Sequence, residues 1–574
     1  MAGSGRNQDL LASLAAREES YDSEVKLQFG PMTSTYHTAL KKETHPVVHG
    51  LFPSAAYALD LLDSGLPAYA DRALQMLPVI AGLQDLRSDS PTYGVWPYFY
   101  EEPLDEMDSP DWNYADFIGK KLVLVLKRHH DHLHEELRQR LTEAVEAACR
   151  AIKKRDVGPG YTNIAAMGAF VTLVGGEVIG AEEFVEYGRN RLRRLLDYTM
   201  RLGTFVEFNS PCYTPITIEE LHHVHTETND PVSIDLSERL LHWAWKMTAE
   251  HYHPRTKQWA GPHSRSYSAM LRPGSFESRL LRNAAEEDAG LPLPRCPQEL
   301  ARYFHLEEER YFRQPIFLEE ETGYQSYATT YIQQAYCLGS FSKDMMWNQR
   351  RNLIGYVDNG GKAAYVQLRV LKDGKDFSSA VFTGVQDRSE IVFGINMALD
   401  YGDWHPVLDP IHGVFEAEDL RIRIEIGGHT GGVELRAGPE RELGFDAAAV
   451  IGEQTVRVTC LSAVSDLGVP RVALTLSEHD GTLGIDYVIY EGQRKRFNIH
   501  EWKQAAWVFL FTMSARTEEL RAGGEHTTNE DVLNAWCEKR GRRMGISIPV
   551  KPGRIAELYR NNIVMLMDEE EVSP

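Results

Sequence analysis

The chain of 574 residues has only six cysteines, Cys149, Cys212, Cys296, Cys337, Cys460 and Cys537, and none belongs to a C-x-x-C pair. That dispersal excludes a disulfide framework or a zinc ribbon read from spacing, so free thiols in a reducing compartment are expected. Positive charge is also short. With 61 Lys and Arg against 83 Asp and Glu, the formal charge is -22, which argues against a nucleic-acid partner because phosphate contacts need a basic face. No run reaches the ~20 apolar residues of a spanning helix, so no membrane partner is expected. The segment Met1–Gln8 lacks a basic region followed by an apolar one, so no secretory leader is read there. The expected location is cytoplasmic, or extracellular or periplasmic if a leader has been lost. H-E-x-x-H is absent, as is any repeat of fixed period. What remains is 43% apolar and 25% charged residues, an ordinary globular composition long enough for more than one core.

Two hydrophobic periods divide the chain. Ser54–Ser64, Ala68–Leu83, Tyr114–Lys127, Leu133–Lys154, Ile164–Leu173, Glu182–Leu202 and Val232–His251 carry apolar residues at i, i+3, i+4, which predicts helices joined into antiparallel hairpins. From about Thr329 the period drops to two, in Ala364–Val370, Ser379–Phe382, Arg421–Ile426, Gln454–Leu461, Arg471–Leu476, Leu483–Ile489 and Ala506–Thr512. Strands without intervening helices predict an antiparallel sandwich. The reading is therefore α+β and multidomain, with a helical domain over 1–315 and a β-sandwich domain over 316–574. Short helices are expected to return at Glu530–Lys539 and Arg554–Asp568, and Glu569–Pro574 is expected to fray.

Three loops concentrate hydrogen-bonding groups. Gly203-Thr-Phe-Val-Glu-Phe-Asn-Ser-Pro-Cys-Tyr213 holds Glu207, Asn209 and Tyr213, and Pro211 and Pro215 break any regular element there. Tyr161-Thr-Asn163 opens an apolar helix, and Gly261-Pro-His-Ser-Arg-Ser-Tyr267 brings His263, Arg265 and Tyr267. Together they offer amide, imidazole, guanidinium and phenol groups, an inventory suited to removing a proton beside a carboxylate.

An all-helical first half and a large antiparallel second half resemble the polysaccharide lyases built as an (α/α) toroid plus β-sandwich. These include the hyaluronate/chondroitin, heparinase II/III-like and alginate lyases. The segment Gly203-Thr-Phe-Val-Glu-Phe through Tyr213-Thr is similar to the one that carries the catalytic His and Tyr of the hyaluronate/chondroitin lyases, with Phe208 standing at the His position. Asn163 is similar to their carboxylate-neutralising asparagine, and Gly261–Tyr267 lies where they carry an arginine-bearing loop. The resemblance implies an incomplete toroid followed by the sandwich, and a carbon–oxygen lyase that cleaves a uronic-acid-containing glycan by β-elimination. It implies an acidic polysaccharide or oligosaccharide substrate and no required cofactor.

Such an elimination needs a donor on the substrate carboxylate, a base for the C5 proton and an acid for the departing O4. The assignment is Asn163 on the carboxylate, Tyr213 as acid and base, His263 as alternative base or second neutraliser, and Arg265 as a fork on the carboxylate. Glu207, Asn209, Tyr267, His222, Trp112 and Asn113 are expected to bind substrate. A tyrosine acting as base needs a cationic neighbour, for which Arg265 or a protonated His263 qualifies.

Structural alternatives stand beside each role. Asn163 also fits a helix N-cap, Asn209 fits an Asx-turn better than a ligand contact, Tyr213 fits a buried aromatic, and Arg265 fits an ion pair with Glu207. His222 and His225 share a helix face yet lack further metal ligands, so no metal site is assigned there; the resemblance to heparinase-like lyases, some of which hold a structural zinc in the β half, makes His405 and His412 candidate ligands, with no metal site as the preferred reading. The segments Tyr324–Tyr327 and Met346–Arg350, the latter with Trp347 and Gln349, fit either groups that the β half brings to the cleft or interdomain packing, and packing is the preferred reading. Two other functions compete, a toroid-type glycoside hydrolase using Glu207, Asp111 or Asp116, and a carbohydrate-binding protein without turnover. The uronic acid, the linkage, endo or exo action and the oligomeric state are not fixed by the sequence.

Overall fold

The computed structural model describes residues 2–32, 37–286, 294–305, 308–319, 324–438, 446–477, 481–515 and 519–567. The chain folds as two compact units, each drawn from more than one segment. The first comprises Met1–Arg201, Pro215–Trp245 and Arg282–Cys296, and the second Leu202–Thr214, Lys246–Leu281 and Pro297–Pro574.

The helices of the first unit follow their apolar stripes. Glu135–Arg155 buries Leu137, Leu141, Ala144, Val145, Ala148, Cys149 and Ile152 along one face, with Glu135 and Glu136 in its first turn and Lys153–Arg155 in its last. That charge order complements the helix dipole. Its His134 N-cap accepts the Leu137 N–H at 3.2 Å. Leu51–Asp63 packs on Pro67–Gly82, and Tyr114–His129 packs on both Glu135–Arg155 and Thr162–Ile179. Thr162–Ile179 is long and apolar enough by composition to cross a membrane, a feature missing from the sequence-based expectation. Because 83% of it is buried inside the protein, it has the surroundings of a core helix. Lys120, 3% exposed, binds Glu220 and reaches Glu219 at 3.4 Å. This joins Tyr114–His129 to Thr214–Glu227 through a buried charge cluster, whose desolvation is offset by pairing.

The second unit is antiparallel sheet. One sheet runs Arg471–Leu476, Leu483–Asn498, Val414–Gly428, Lys362–Lys372, Leu353–Asn359, Tyr336–Phe341, Tyr324–Ile332, Arg310–Glu319 in spatial order. A second runs Glu434–Ala437, Ala447–Ile451, Gln454–Ser465, Ala505–Ser514, Glu390–Met397, Ala380–Asp387, Lys343–Met345. A third has four strands, Arg521–Thr527, Val532–Lys539, Arg542–Pro549 and Ile563–Met567. Phe509 and Phe511 of the second sheet share a core with Val366 and Ile424 of the first. Their neighbours Val508 and Leu510 share another with Leu533 and Ile546 of the third. The second sheet is therefore covered on both faces, and the core is layered.

The fold is thus α+β, helical first and antiparallel sheet afterwards. Two details need correction. Glu530–Lys539, expected as a helix, contains the strand Val532–Lys539, which buries every second residue; its short apolar run fits either period. Arg554–Asp568 divides into the helix Ile555–Asn561 and the strand Ile563–Met567. The expected fraying of Glu569–Pro574 and part of the period switch, Glu307 and Glu320–Gly323, lie outside the described residues.

Candidate functional site

The site of the second unit is built from two loops on the face of the first sheet. Gly203–Tyr213 is free of helix and strand, as its prolines predict. Gly261–Tyr267 is pinned to the strand Tyr324–Ile332 and to the loop that carries Gln349 and Arg351. His263 N–H donates to Arg351 O at 3.3 Å and Arg351 N–H to His263 O at 3.0 Å, and Ser266 N–H donates to Gln349 O at 2.7 Å. Thr330 Oγ1 donates to Gly261 O at 2.8 Å. The approach is close enough to demand glycine on both sides. A Cβ on Gly261 would lie 2.1 Å from Ile354 Cγ2, and one on Gly339 would lie 1.9 Å from Gly261 O.

Asn209 locks the two loops together. It is fully buried with φ +48°, a conformation asparagine tolerates better than most residues. Its Nδ2 donates to Ala260 O at 2.7 Å and Pro262 O at 2.9 Å, and its Oδ1 accepts the Trp259 indole N–H at 2.5 Å. Its carbonyl accepts His263 Nδ1–H at 2.8 Å. The expected Asx-turn does not form, for Pro211 two residues on has no N–H to offer. Neither is the side chain presented to a ligand. Asn209→Ala should strand an indole N–H and two carbonyls, costing about 2–4 kcal/mol, measurable as a fall in the denaturation midpoint.

Tyr213 and Arg265 come together above this lock. Arg265 Nη2 donates to the Tyr213 hydroxyl at 3.2 Å, and Arg265 Nε donates to Gln349 Oε1 at 2.8 Å. The guanidinium carbon lies 4.9 Å from the ring centres of both Tyr213 and Trp347, within cation–π range. The Tyr213 hydroxyl also meets the Tyr267 hydroxyl at 2.5 Å. Ser210 Oγ fixes the backbone, accepting Tyr213 N–H at 3.1 Å and donating to Arg265 O at 2.8 Å. The arginine is thus aimed at the phenol, where a fork on a substrate carboxylate was expected.

His263 is fully buried, and burial pushes its pKa down to about 3 against a weaker upward pull from the Asn209 carbonyl. It is neutral near pH 7, so the cation beside Tyr213 is Arg265 and a protonated His263 is not available for that role. Glu207 lies in the same loop, 8% exposed. Trp347 and Gln349, read from sequence as packing, are the residues that hold Arg265; only their aromatic and amide character in a polar loop hinted at this. Trp347 in turn meets the His405 ring edge-on, centroids 5.1 Å apart. His405 Nδ1 accepts Val407 N–H at 3.1 Å and Leu408 N–H at 3.0 Å, which makes it a loop anchor. Among the described residues, no group of three or more His, Cys, Asp or Glu is placed to hold a metal ion.

The remaining candidates belong to the first unit. Asn163, 1% exposed, stands inside the first turn of Thr162–Ile179, whose N-cap is Tyr161, so it is not the cap. Asn113 is the N-cap of Tyr114–His129. Its Oδ1 accepts Arg155 Nη1–H at 2.6 Å, and its Nδ2 donates to the Tyr161 hydroxyl at 3.4 Å. Trp112 beside it is half-buried. His222 is half-buried in Thr214–Glu227, and burial lowers its pKa. Asp111 accepts the Tyr98 hydroxyl at 2.7 Å. Asp116, 2% exposed, is pushed up to about 7 by burial, against the pull of Arg191.

A family model described as "Domain of unknown function (DUF8769)" matches residues 9–288, just under half of the chain. No curated protein matches. Among solved structures, the chain is similar to a Streptomyces coelicolor A3 chondroitin AC lyase in complex with chondroitin sulphate, at 10% identity and a TM-score of 0.46, covering 95% of this chain and 89% of that one. It is also similar to heparan sulfate lyase HepC from Pedobacter heparinus, at 8% identity and a TM-score of 0.32, covering 90% and 82%. With both TM-scores under 0.5, neither likeness decides what this chain does.

Proposed function

We propose that this protein is a polysaccharide lyase that cleaves a uronic-acid-containing glycan by β-elimination. The observation that carries the reading is the Tyr213 hydroxyl held 3.2 Å from the Arg265 guanidinium. To take the C5 proton of a uronate the base must first carry the negative charge, and a phenol is ionised near neutral pH only beside a cation. Arg265 is that cation, and Gln349 and Trp347 hold it in place before substrate arrives, so little reorganisation accompanies the step. A buried, neutral His263 supports the lock beneath Tyr213 and leaves proton transfer to the phenol.

The chemistry follows in order. The Tyr213 phenolate takes the C5 proton, the electron pair forms C4=C5, and the C4–O4 bond breaks with protonation of O4. The resemblance adds Asn163 as the donor on the substrate carboxylate. Its amide matters most as charge spreads onto that group, so Asn163→Ala should lower turnover more than affinity, read from kcat against KM.

The test is a screen of acidic polysaccharides and their oligomers for a gain in ultraviolet absorbance, which the new C=C bond conjugated to the carboxylate produces. Cleavage without that chromophore would replace the lyase by a hydrolase, with Glu207 as the first carboxylate to substitute. Binding without cleavage would leave a carbohydrate-binding protein.

A further inference from the structure

The second phenol of the site has a role of its own. Tyr267 is 60% exposed, yet its hydroxyl stands 2.5 Å from that of Tyr213, the ring centres 6.1 Å apart and the planes at 65°. The backbone on either side of its Cα is anchored. Tyr267 N–H donates to Cys212 Sγ at 3.3 Å, Ser266 N–H donates to Gln349 O at 2.7 Å, and Ser266 Oγ donates to Ser268 O at 2.6 Å. A tyrosine placed only to cover apolar surface has no need of a fixed hydroxyl, and this ring leaves most of its surface in solvent.

The two phenols have unlike surroundings. Tyr213 is half-buried and receives the Arg265 N–H on its oxygen. Tyr267 sits in water, and its hydroxyl faces the Tyr213 oxygen. Where two titratable groups share a site and a cation stands at one of them, the charged form settles on that one and the proton on the other. We infer that Tyr267 is the acid of the elimination, the group that protonates the departing O4, while Tyr213 is the base. This rests on the lyase reading above and deepens it, moving to Tyr267 the acid role that the sequence analysis gave to Tyr213 together with that of base.

The protons balance. Tyr213 O⁻ takes the C5 hydrogen and becomes Tyr213 O–H. The C5 electron pair forms C4=C5, C4–O4 breaks, and O4 takes the Tyr267 proton, leaving phenolate on Tyr267. Tyr213 O–H then passes its proton across the 2.5 Å gap to Tyr267 O⁻. Both residues return to their starting state without an outside acid or base.

The experiment compares the wild type, Tyr267→Phe and Tyr213→Phe on two kinds of uronide, one with a sugar at O4 and one with an activated aryl group there. An aryl oxide leaves without protonation, so only the sugar substrate needs the acid. Tyr267→Phe should lose roughly 10²–10⁴-fold in kcat on the sugar substrate with KM nearly unchanged, and lose far less on the aryl uronide, whose departure needs no acid and after which Tyr213 gives its proton to solvent. Tyr213→Phe should lose activity on both. Because the Tyr267 ring is largely exposed, the variant retains the fold. Equal losses of Tyr267→Phe on both substrates would make it a prop for Tyr213 and overturn the assignment, as would full activity on the sugar substrate. A wild type that releases no unsaturated product from either uronide would remove the lyase reading itself, and the acid with it.

Discussion

Tyr213→Phe is expected to be folded, soluble and nearly inactive, losing roughly 10²–10⁴-fold in turnover with substrate affinity little changed. The substitution removes one oxygen and leaves the ring against Arg265, whose cation–π approach at 4.9 Å does not depend on the hydroxyl. The hydroxyl is bonded to Arg265 and Tyr267, both of them outside the core lock that Asn209 makes with Trp259, Ala260 and Pro262. Its loss should therefore cost little stability, about 1 kcal/mol. A structural tyrosine would show the reverse pattern, a lowered melting temperature with turnover intact. Steady-state kinetics and thermal denaturation on the same preparation separate the two, and full activity would end the tyrosine mechanism.

The helical half was legible because its helices are amphipathic. Glu135–Arg155 shows its buried stripe in the sequence, and so does Glu182–Leu202. The β half was read most readily where one face meets water or where turns mark the ends of a strand, although Ala506–Thr512 was read within a strand buried at nearly every position. Val414–Gly428 alternates over most of its length, and its inner part was found. Glu390–Met397 and Tyr336–Phe341 are buried at every position, so no period of two exists to be seen. The cause is the layering, since a strand covered on both faces has apolar residues on both.

The site loops were legible by their prolines and polar groups, yet the division of labour within them was not. Asn209 and Asn163 look alike in sequence, and only the structure shows that all the side-chain polar atoms of Asn209 are consumed by Trp259, Ala260 and Pro262. The grip of Gln349 and Trp347 on Arg265 joins segments more than 80 residues apart. No local pattern encodes such a pairing.

Acid should loosen the second unit through three buried histidines. His251 and His253 are pushed down to about 4 and His263 to about 3, each chiefly by burial. Unfolded, each returns to about 6.5, so below that pH the unfolded chain binds the proton that the folded chain refuses. Stability from these groups is complete above about 6.5 and is lost as pH falls toward each folded value, at about 1.4 kcal/mol per pH unit for each histidine. Carboxyls such as Glu250 and Asp344, which burial pushes upward, slope the other way, so the total pH dependence does not isolate the histidines. A single substitution does. His263→Asn keeps an N–H donor for the Asn209 carbonyl and removes the titrating group. Relative to this variant, the wild type should lose about 3 kcal/mol between pH 6.5 and 4, measured by urea denaturation at a series of pH values. Parallel curves for the two proteins would mean that His263 takes up its proton in the folded state. The charge beside Tyr213 would then no longer belong to Arg265 alone.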